Sequence, residues 1–295
     1  MKILNYGSLN IDLVFSVPHI VVEGETISST ALVKSAGGKG ANQSAAIAKA
    51  GLEVYHAGKV GQDGKFLIDL LKSYGVHTQF IQVDDQASGQ ALIQVNDQGQ
   101  NSIVLYAGGN HRITRAEIDA TLAYFGAGDY LVLQHEINDM SYIMTQAKAK
   151  GMRIWFNPAP FSADVFKLPL DAVEMLLVNE IEGAQLARLP LDTPFSTIVD
   201  TLVAQFPSQE IILTAGKHGA YYGFKSIREK GDIINLPVVD TTGAGDTFIG
   251  YLLAARVRGL DIKESLRLAC KASSLKVSRA GAMVAMPLKD EVFQY

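Results

Sequence analysis

The run Met175-Leu176-Leu177-Val178-Asn179-Glu180-Ile181-Glu182 sets four apolar residues in a row directly before an Asn and two acids. A strand with one wet face alternates apolar with polar, so an unbroken run is what a strand covered on both faces requires. Tyr130-Leu131-Val132-Leu133, Ile154-Trp155-Phe156 and Ile211-Ile212-Leu213 read the same way. Helical patterns lie between them. Thr114 and Glu117 spell a capping box, and Asp261 with Glu264 imitates one. Asp63 stands where it would cap a helix whose Phe66, Leu67, Leu70, Leu71 and Tyr74 form one apolar stripe before Gly75. Strands and helices alternating at this spacing predict an α/β fold with a doubly wound, mostly parallel sheet flanked by helices. A chain of 295 residues fits one domain of that kind, here taken as 1–295.

Two stretches break the rhythm. Residues 12–34 and 87–106 have a looser β-like alternation, with Ala91, Ile93 and Val95 facing one way and Leu92, Gln94 and Asn96 the other. Asp97-Gln98-Gly99-Gln100 reads as the turn of a hairpin. These segments predict a small sheet outside the main one. A few strands alone are marginal in water, so it should cover a site or pair with a second subunit.

In open parallel sheets ligands sit beyond the carboxyl ends of the strands, and polar residues gather there. Asn10 and Asp12 follow Ile3-Leu4-Asn5-Tyr6-Gly7, and Gln134 and Glu136 follow the Tyr130 run. Asn157 follows Ile154-Trp155-Phe156, Asn179 and Glu182 follow Val178, and Thr214, Gly216 and Lys217 follow the Ile211 run. Carboxylates and amides in such number suit a polyhydroxylated ligand and a hydrated divalent cation.

Asp240-Thr241-Thr242-Gly243-Ala244-Gly245-Asp246-Thr247-Phe248 supplies the chemistry. Its glycines let consecutive N–H groups point outward at a helix start, where the dipole also favours an anion. An acid, Asp246, stands among those amides at an electrostatic cost. Taking a proton from a hydroxyl that attacks a bound phosphate is a reason to keep it there. A second cluster, Gly37-Gly38-Lys39-Gly40-Ala41-Asn42, opens a small-residue helix ending near Gly51 and lets a ligand approach the main chain, with Lys39 and Asn42 as donors. Neither stretch is a Walker A loop or a dinucleotide fingerprint, because Gly40 follows Lys39 and Phe248 stands at the third glycine position.

A net charge of −4 offers no footprint for nucleic acid. The single cysteine, Cys270, permits no internal disulfide and reads as a small buried residue. No basic-then-apolar leader follows Met1 and no apolar run approaches about 18 residues, so a soluble cytoplasmic protein with no membrane partner is expected.

Taken together, Gly37 to Asn42 followed by Gln43, the Asn179-Glu180-Ile181-Glu182 tetrad and Asp240 to Asp246 resemble the signatures of the ribokinase family of carbohydrate kinases (the PfkB group), and the resemblance runs over nearly the whole chain. It implies a large α/β domain with a small β-sheet lid, the lids of two subunits pairing as a homodimer. It implies a kinase using ATP and Mg²⁺ on a small sugar, D-ribose foremost, with fructose, deoxyribose, a keto-deoxy sugar acid or a nucleoside as alternatives. A sugar-binding protein without turnover stands as the reading from another class. By resemblance Asn10, Asp12, Gly38, Lys39, Asn42 and Glu136 would hold the sugar. Asp246 would be the catalytic base, and Gly243, Ala244 and Gly245 the anion hole. Asn179, Thr214, Gly216, Lys217 and Gly219 would lie along the nucleotide, with Glu182 on Mg²⁺ through water. A potassium site beside the anion hole is also implied, built mainly from carbonyls of Asp240, Thr242, Lys276, Arg279 and Gly281. Its last position, usually a hydroxyl, is Ala285 here, so weakened potassium activation is expected.

Overall fold

Among residues 1–293, which the computed structural model describes, the apolar runs of the sequence are the strands of one large sheet. The strands are β1 Ile3–Tyr6, β2 Asn10–Val17, β3 Ala31–Gly37, β4 Tyr55–Gly61, β5 His77–Asp84, β6 Gly89–Asn96, β7 Asn101–Tyr106, β8 Tyr130–Gln134, β9 Arg153–Asn157, β10 Val173–Asn179, β11 Glu210–Thr214, β12 Ala220–Phe224 and β13 Ile227–Gly231. The helices are α1 Lys39–Lys49, α2 Lys65–Ser73, α3 Arg115–Leu122, α4 Met140–Ala149, α5 Glu180–Ala187, α6 Phe195–Gln205, α7 Ala244–Val257, α8 Ile262–Val277 and α9 Lys289–Phe293.

The large sheet runs β13-β12-β11-β10-β9-β8-β1-β4-β5. It is parallel from β11 to β5, and β12 and β13 add an antiparallel edge. Both faces are covered, as the unbroken runs require. In β8, Tyr130 and Val132 enter the core under α1, α2, α7 and α8, while Leu131 and Leu133 enter the core under α3 to α6. In β10, Met175 and Leu177 face the first core and Leu176 and Val178 the second. Strand order reverses between β1 and β8, which opens a crevice at the carboxyl ends of those two strands.

The smaller sheet, β3-β2-β6-β7, is built from segments inserted after β1 and after β5. It begins at Asn10 and ends at Gly37, two and three residues beyond the 12–34 limits read from alternation, because the ladder pairs Asn10 with Gly37. Asp97 to Gln100 is the hairpin turn, with the Asn96 N–H donating to the Gln100 carbonyl at 3.1 Å and Gly99 at φ 76°. Thr114 and Glu117 form the expected capping box, whereas Asp261 caps the Glu264 N–H alone. Asp63 does not cap α2. It lies in a short 3₁₀ turn, and its carboxylate accepts from the backbone and hydroxyl of Ser88, so α2 starts on Gly64 without a side-chain cap.

Candidate active site

The crevice brings the end of β1, the start of α1 and the segment after β8 together. Glu136 accepts from the Ser8 hydroxyl and, at 3.1 Å, from the Lys39 N–H at the head of α1. Burial holds its carboxyl above the usual range. Asp12, on β2 rather than in a loop, lies beside it. Burial and then the Glu136 charge push the Asp12 carboxyl up to about 6. Asn10 is buried and accepts from Asn110 Nδ2 at 2.7 Å, while Asn110 Oδ1 accepts from the Leu9 N–H. Asn110 carries no signal in the sequence beyond its place after the second β-like stretch. Gly38, at φ 94°, turns the chain from β3 into α1. A Cβ there would lie 2.9 Å from both the Asn10 nitrogen and the Ser8 carbonyl oxygen.

Asp246 is 6% exposed in the first turn of α7. Its two oxygens accept from Asn42 Nδ2 and Gln43 Nε2, both at 3.0 Å. Gln43 is ordered in turn: its Oε1 accepts from Gln134 Nε2 at 2.7 Å, and that same nitrogen donates to Asn5 Oδ1 at 3.0 Å. Gln43, Gln134 and Asn5 are fully buried, so this amide chain is closed to water. Sequence reasoning gave no site role to Gln43 or Asn5. The signal was present, since Gln43 ends the glycine cluster and Asn5 is a lone amide in the apolar run of β1.

Beside Asp246 opens a cavity of about 480 Å³ lined by Asn179, Glu182, Thr214, Gly216 and Gly219 on one side and by Gly243, Ala244, Gly245 and Asp246 on the other. Lys217 belongs to the 3₁₀ turn 216–218 but does not line it. Of the residues expected around the sugar, Lys39 alone lines this cavity. The others form the cluster under the smaller sheet, and the Asn42–Asp246 hydrogen bond joins the two regions. Asn179 and Glu182 also make a capping box on α5, so their spacing has a local cause besides any ligand. Burial raises the Glu182 carboxyl, opposed by the Asn179 N–H and by Lys39. Burial presses the Lys39 ammonium downward, yet Asp246, Glu136 and Glu182 together hold it above its ordinary value.

Gly243 takes the left-handed conformation, φ 73°, and starts α7 with no side-chain cap. The Ala244 N–H closes a turn onto the Thr241 carbonyl at 3.1 Å. Among the described residues, the N–H groups of Gly245 and Asp246 have no protein acceptor, so the helix start faces the cavity with donors free for an anion. No cluster of three or more His, Cys, Asp or Glu side chains suited to a metal occurs among the described residues. Mg²⁺ keeps several waters and binds through one or two carboxylates plus phosphates, so it needs no such cluster. Glu182 fits that role. A potassium ion does not fit the expected carbonyls. The Lys276 ammonium, on a fully buried side chain, already donates to the Asp240 carbonyl at 2.7 Å, and Ala285 is a buried apolar residue without a side-chain oxygen. Cys270 is buried at the cavity wall and donates to the Gly231 carbonyl, with burial pushing its thiol up to about 12.

A buried carboxylate beside free helix-start amides, tied by Asn42 to a cluster of carboxylates and amides, has the chemistry an alcohol-accepting phosphotransferase needs. The chain belongs to the pfkB family of carbohydrate kinases, whose model matches residues 1–289. It is 36% identical over 295 aligned positions to a ribokinase of Bacillus subtilis, covering 97% of this chain and 96% of that protein. The ribokinase of Cryptococcus neoformans in complex with ADP superposes with a TM-score of 0.87 at 33% identity, covering 99% of both chains. Arabidopsis thaliana ribokinase complexed with ribose and ATP gives 0.86 at 30% identity, covering 99% of this chain and 97% of that one.

Proposed function

We propose that this sugar kinase is a ribokinase, transferring the γ-phosphoryl group of MgATP to the 5-hydroxyl of D-ribose. The observation that carries the reading is Asp246, a buried carboxylate on the cavity wall held at 3.0 Å by two amide donors, one of them Asn42 of the expected sugar-binding set. Asn10, Asp12, Gly38, Lys39, Asn42 and Glu136 bind the sugar hydroxyls, the carboxylates accepting and Lys39 and Asn42 donating. Asp246 removes the proton of the attacking hydroxyl as general base. The amides at the head of α7 take the charge that grows on the transferring oxygens. Asn179, Thr214, Gly216, Gly219 and Lys217 lie along the nucleotide. When bound, Mg²⁺ neutralises phosphate charge, and Glu182 holds it through water.

The smaller sheet acts as a lid that excludes water, a competing acceptor. Its ladder sets Val14, Val33, Ile93 and Ile103 on the same face as Asp12. Val33 is 57% and Ile103 52% exposed, an apolar face suited to a second lid, so the protein is proposed to be a homodimer. A cytoplasmic location follows from its use of ATP.

The test is ADP release from MgATP across ribose, 2-deoxyribose, fructose, keto-deoxygluconate and adenosine. Preference for ribose is expected. Preference for another acceptor would keep Asp246 and reassign the sugar contacts, and silence on all with ATP bound would favour a binding protein.

A further inference from the structure

Lys276 is one of the largest fully buried side chains of the protein, and its placement has no part in the reaction as described so far. It stands in the last turn of α8, where carbonyls and the helix dipole favour a cation. Its ammonium donates to the Asp240 carbonyl at 2.7 Å and lies 3.8 Å from Asp240 Oδ1. Asp240 ties the surrounding chain together. Its N–H and that of Val239 both donate to the Val277 carbonyl, while Oδ1 accepts from the Thr242 N–H and Oδ2 from the Gly281 N–H. Three residues further on, Gly243 turns the chain into α7, and Asp246 follows one turn later. One ammonium thus holds the base of the loop that aims both the helix-start amides and the carboxylate.

We propose that the Lys276 ammonium is a tethered monovalent cation that fixes the 239–246 loop, so that the enzyme needs no dissociable alkali ion. An ammonium and a potassium ion carry the same charge and are close in size, so one can stand for the other against a carbonyl. Two observations favour the tethered ion: the Asp240 carbonyl is already engaged, and Ala285 has no side-chain oxygen to offer in compensation. A buried charge without a partner is costly, and here the carbonyl and the Asp240 carboxylate meet it. Lys276 is a positioning residue, since it acts on the reacting groups through the loop.

This rests on the kinase reading, and the test separates the two. Wild-type turnover and thermal midpoint are measured in potassium chloride and in tetramethylammonium chloride at matched ionic strength, each with Mg²⁺. Both should agree between salts, turnover within twofold. In Lys276→Ala, kcat should fall at least tenfold in the organic salt with the sugar KM little changed, and potassium or ammonium ions should restore much of it. The same ions, and not tetramethylammonium, should raise the melting midpoint of the variant. Lys276→Ala with Ala285→Ser should need less potassium for rescue. Activation of the wild type several-fold by potassium would overturn the proposal, as would a folded Lys276→Ala that no monovalent ion rescues. If neither variant folds, the wild-type salt comparison still decides. Failure of the kinase reading would appear instead as no turnover in any salt.

Discussion

Replacing Asp246 with Asn separates a base from a cap more sharply than any other substitution in this site. The carboxylate accepts two amide donors at 3.0 Å, from Asn42 and Gln43. Asn offers one acceptor oxygen and turns an NH₂ toward one of those donors. Relief is available on one side only. Asn42 Oδ1 is buried and has no partner, so a flip of the Asn42 amide lets it accept from the new NH₂. Gln43 cannot flip without losing the bond to Gln134. The structural cost is therefore close to one hydrogen bond, about 1 kcal/mol, or about 2 °C in the melting midpoint of a chain this size. The chemical cost is larger by kind, because an amide accepts no proton: kcat should fall by about 10²–10⁴. The assay is initial-rate ADP release at saturating sugar and MgATP, paired with a melt and with ATP binding by calorimetry. A variant with near wild-type kcat would refute the base assignment. A variant that loses ATP binding and melts far lower would show that the carboxylate serves the fold instead.

Other expectations follow from the same geometry. Asp12→Ala removes a charged acceptor worth about 1.5–3 kcal/mol, so the sugar KM should rise about 10- to 150-fold with kcat largely kept; an unchanged KM would detach β2 from the sugar. Because the Asp12 carboxyl is raised from 3.8 to about 6, sugar KM should climb as pH falls through 6. In the ligand-free protein the sign is set by the folded state binding the extra proton, so this group's contribution to stability is full below its ordinary value and is lost as pH rises through about 6. A denaturation series from pH 4 to 7 reads it, and a gain in Asp12-dependent stability over that interval would be the wrong sign. Gly38→Ala forces a side chain at φ 94° against two backbone atoms at 2.9 Å. It should lose about 1–3 kcal/mol in chemical denaturation, and a neutral outcome would mean that this turn is loose. Ile103→Asp places a charge on the apolar face of the smaller sheet and should yield a monomer by light scattering if that face pairs two subunits.

How far the sequence revealed all this depended on whether the cause was local. The strands of the main sheet could be read because burial on both faces abolishes alternation, and Tyr130 to Leu133 then sends alternate residues into two cores. Asp246 and the Gly243 turn were visible because a left-handed residue before an uncapped helix has few substitutes for glycine. Asp63 misled because Ser88, from a distant segment, competes for its carboxylate, and no local pattern encodes that bond. Lys276 is a different case. The resemblance implied a role for its carbonyl, and nothing local in the sequence signalled that its side chain reaches the Asp240 carbonyl, 36 residues away. Asn110 and the amide chain behind Asp246 escaped because each link spans from about 35 to 200 residues of sequence.

That amide chain also has a direction, which makes it testable. The Gly40 carbonyl can only accept, so it fixes Asn5 with Nδ2 toward Gly40 and Oδ1 toward Gln134. Gln134 must then present its NH₂ to Asn5 and, with the same nitrogen, to Gln43 Oε1. Gln43 is left with its NH₂ toward Asp246, and the same nitrogen also reaches Asn157 Oδ1 at 3.5 Å. A main-chain oxygen in α1 thus decides, through three side chains, that the base is met by a donor rather than by a competing acceptor. Gln134→Met keeps the volume but removes the middle link, leaving the Gln43 amide set only by Asp246 and by a longer donation to Asn157 Oδ1 at 3.5 Å. With one donor to the carboxylate held less firmly, kcat should fall up to about 5- to 10-fold, the worth of one hydrogen bond. The sugar KM should stay near wild type, since the Gln134 side chain donates to Asn5 and Gln43 and not to Asn10, Asp12 or Glu136. A folded Gln134→Met enzyme with unchanged kcat would mean that Asp246 is oriented without this chain, and that the buried amides serve packing only.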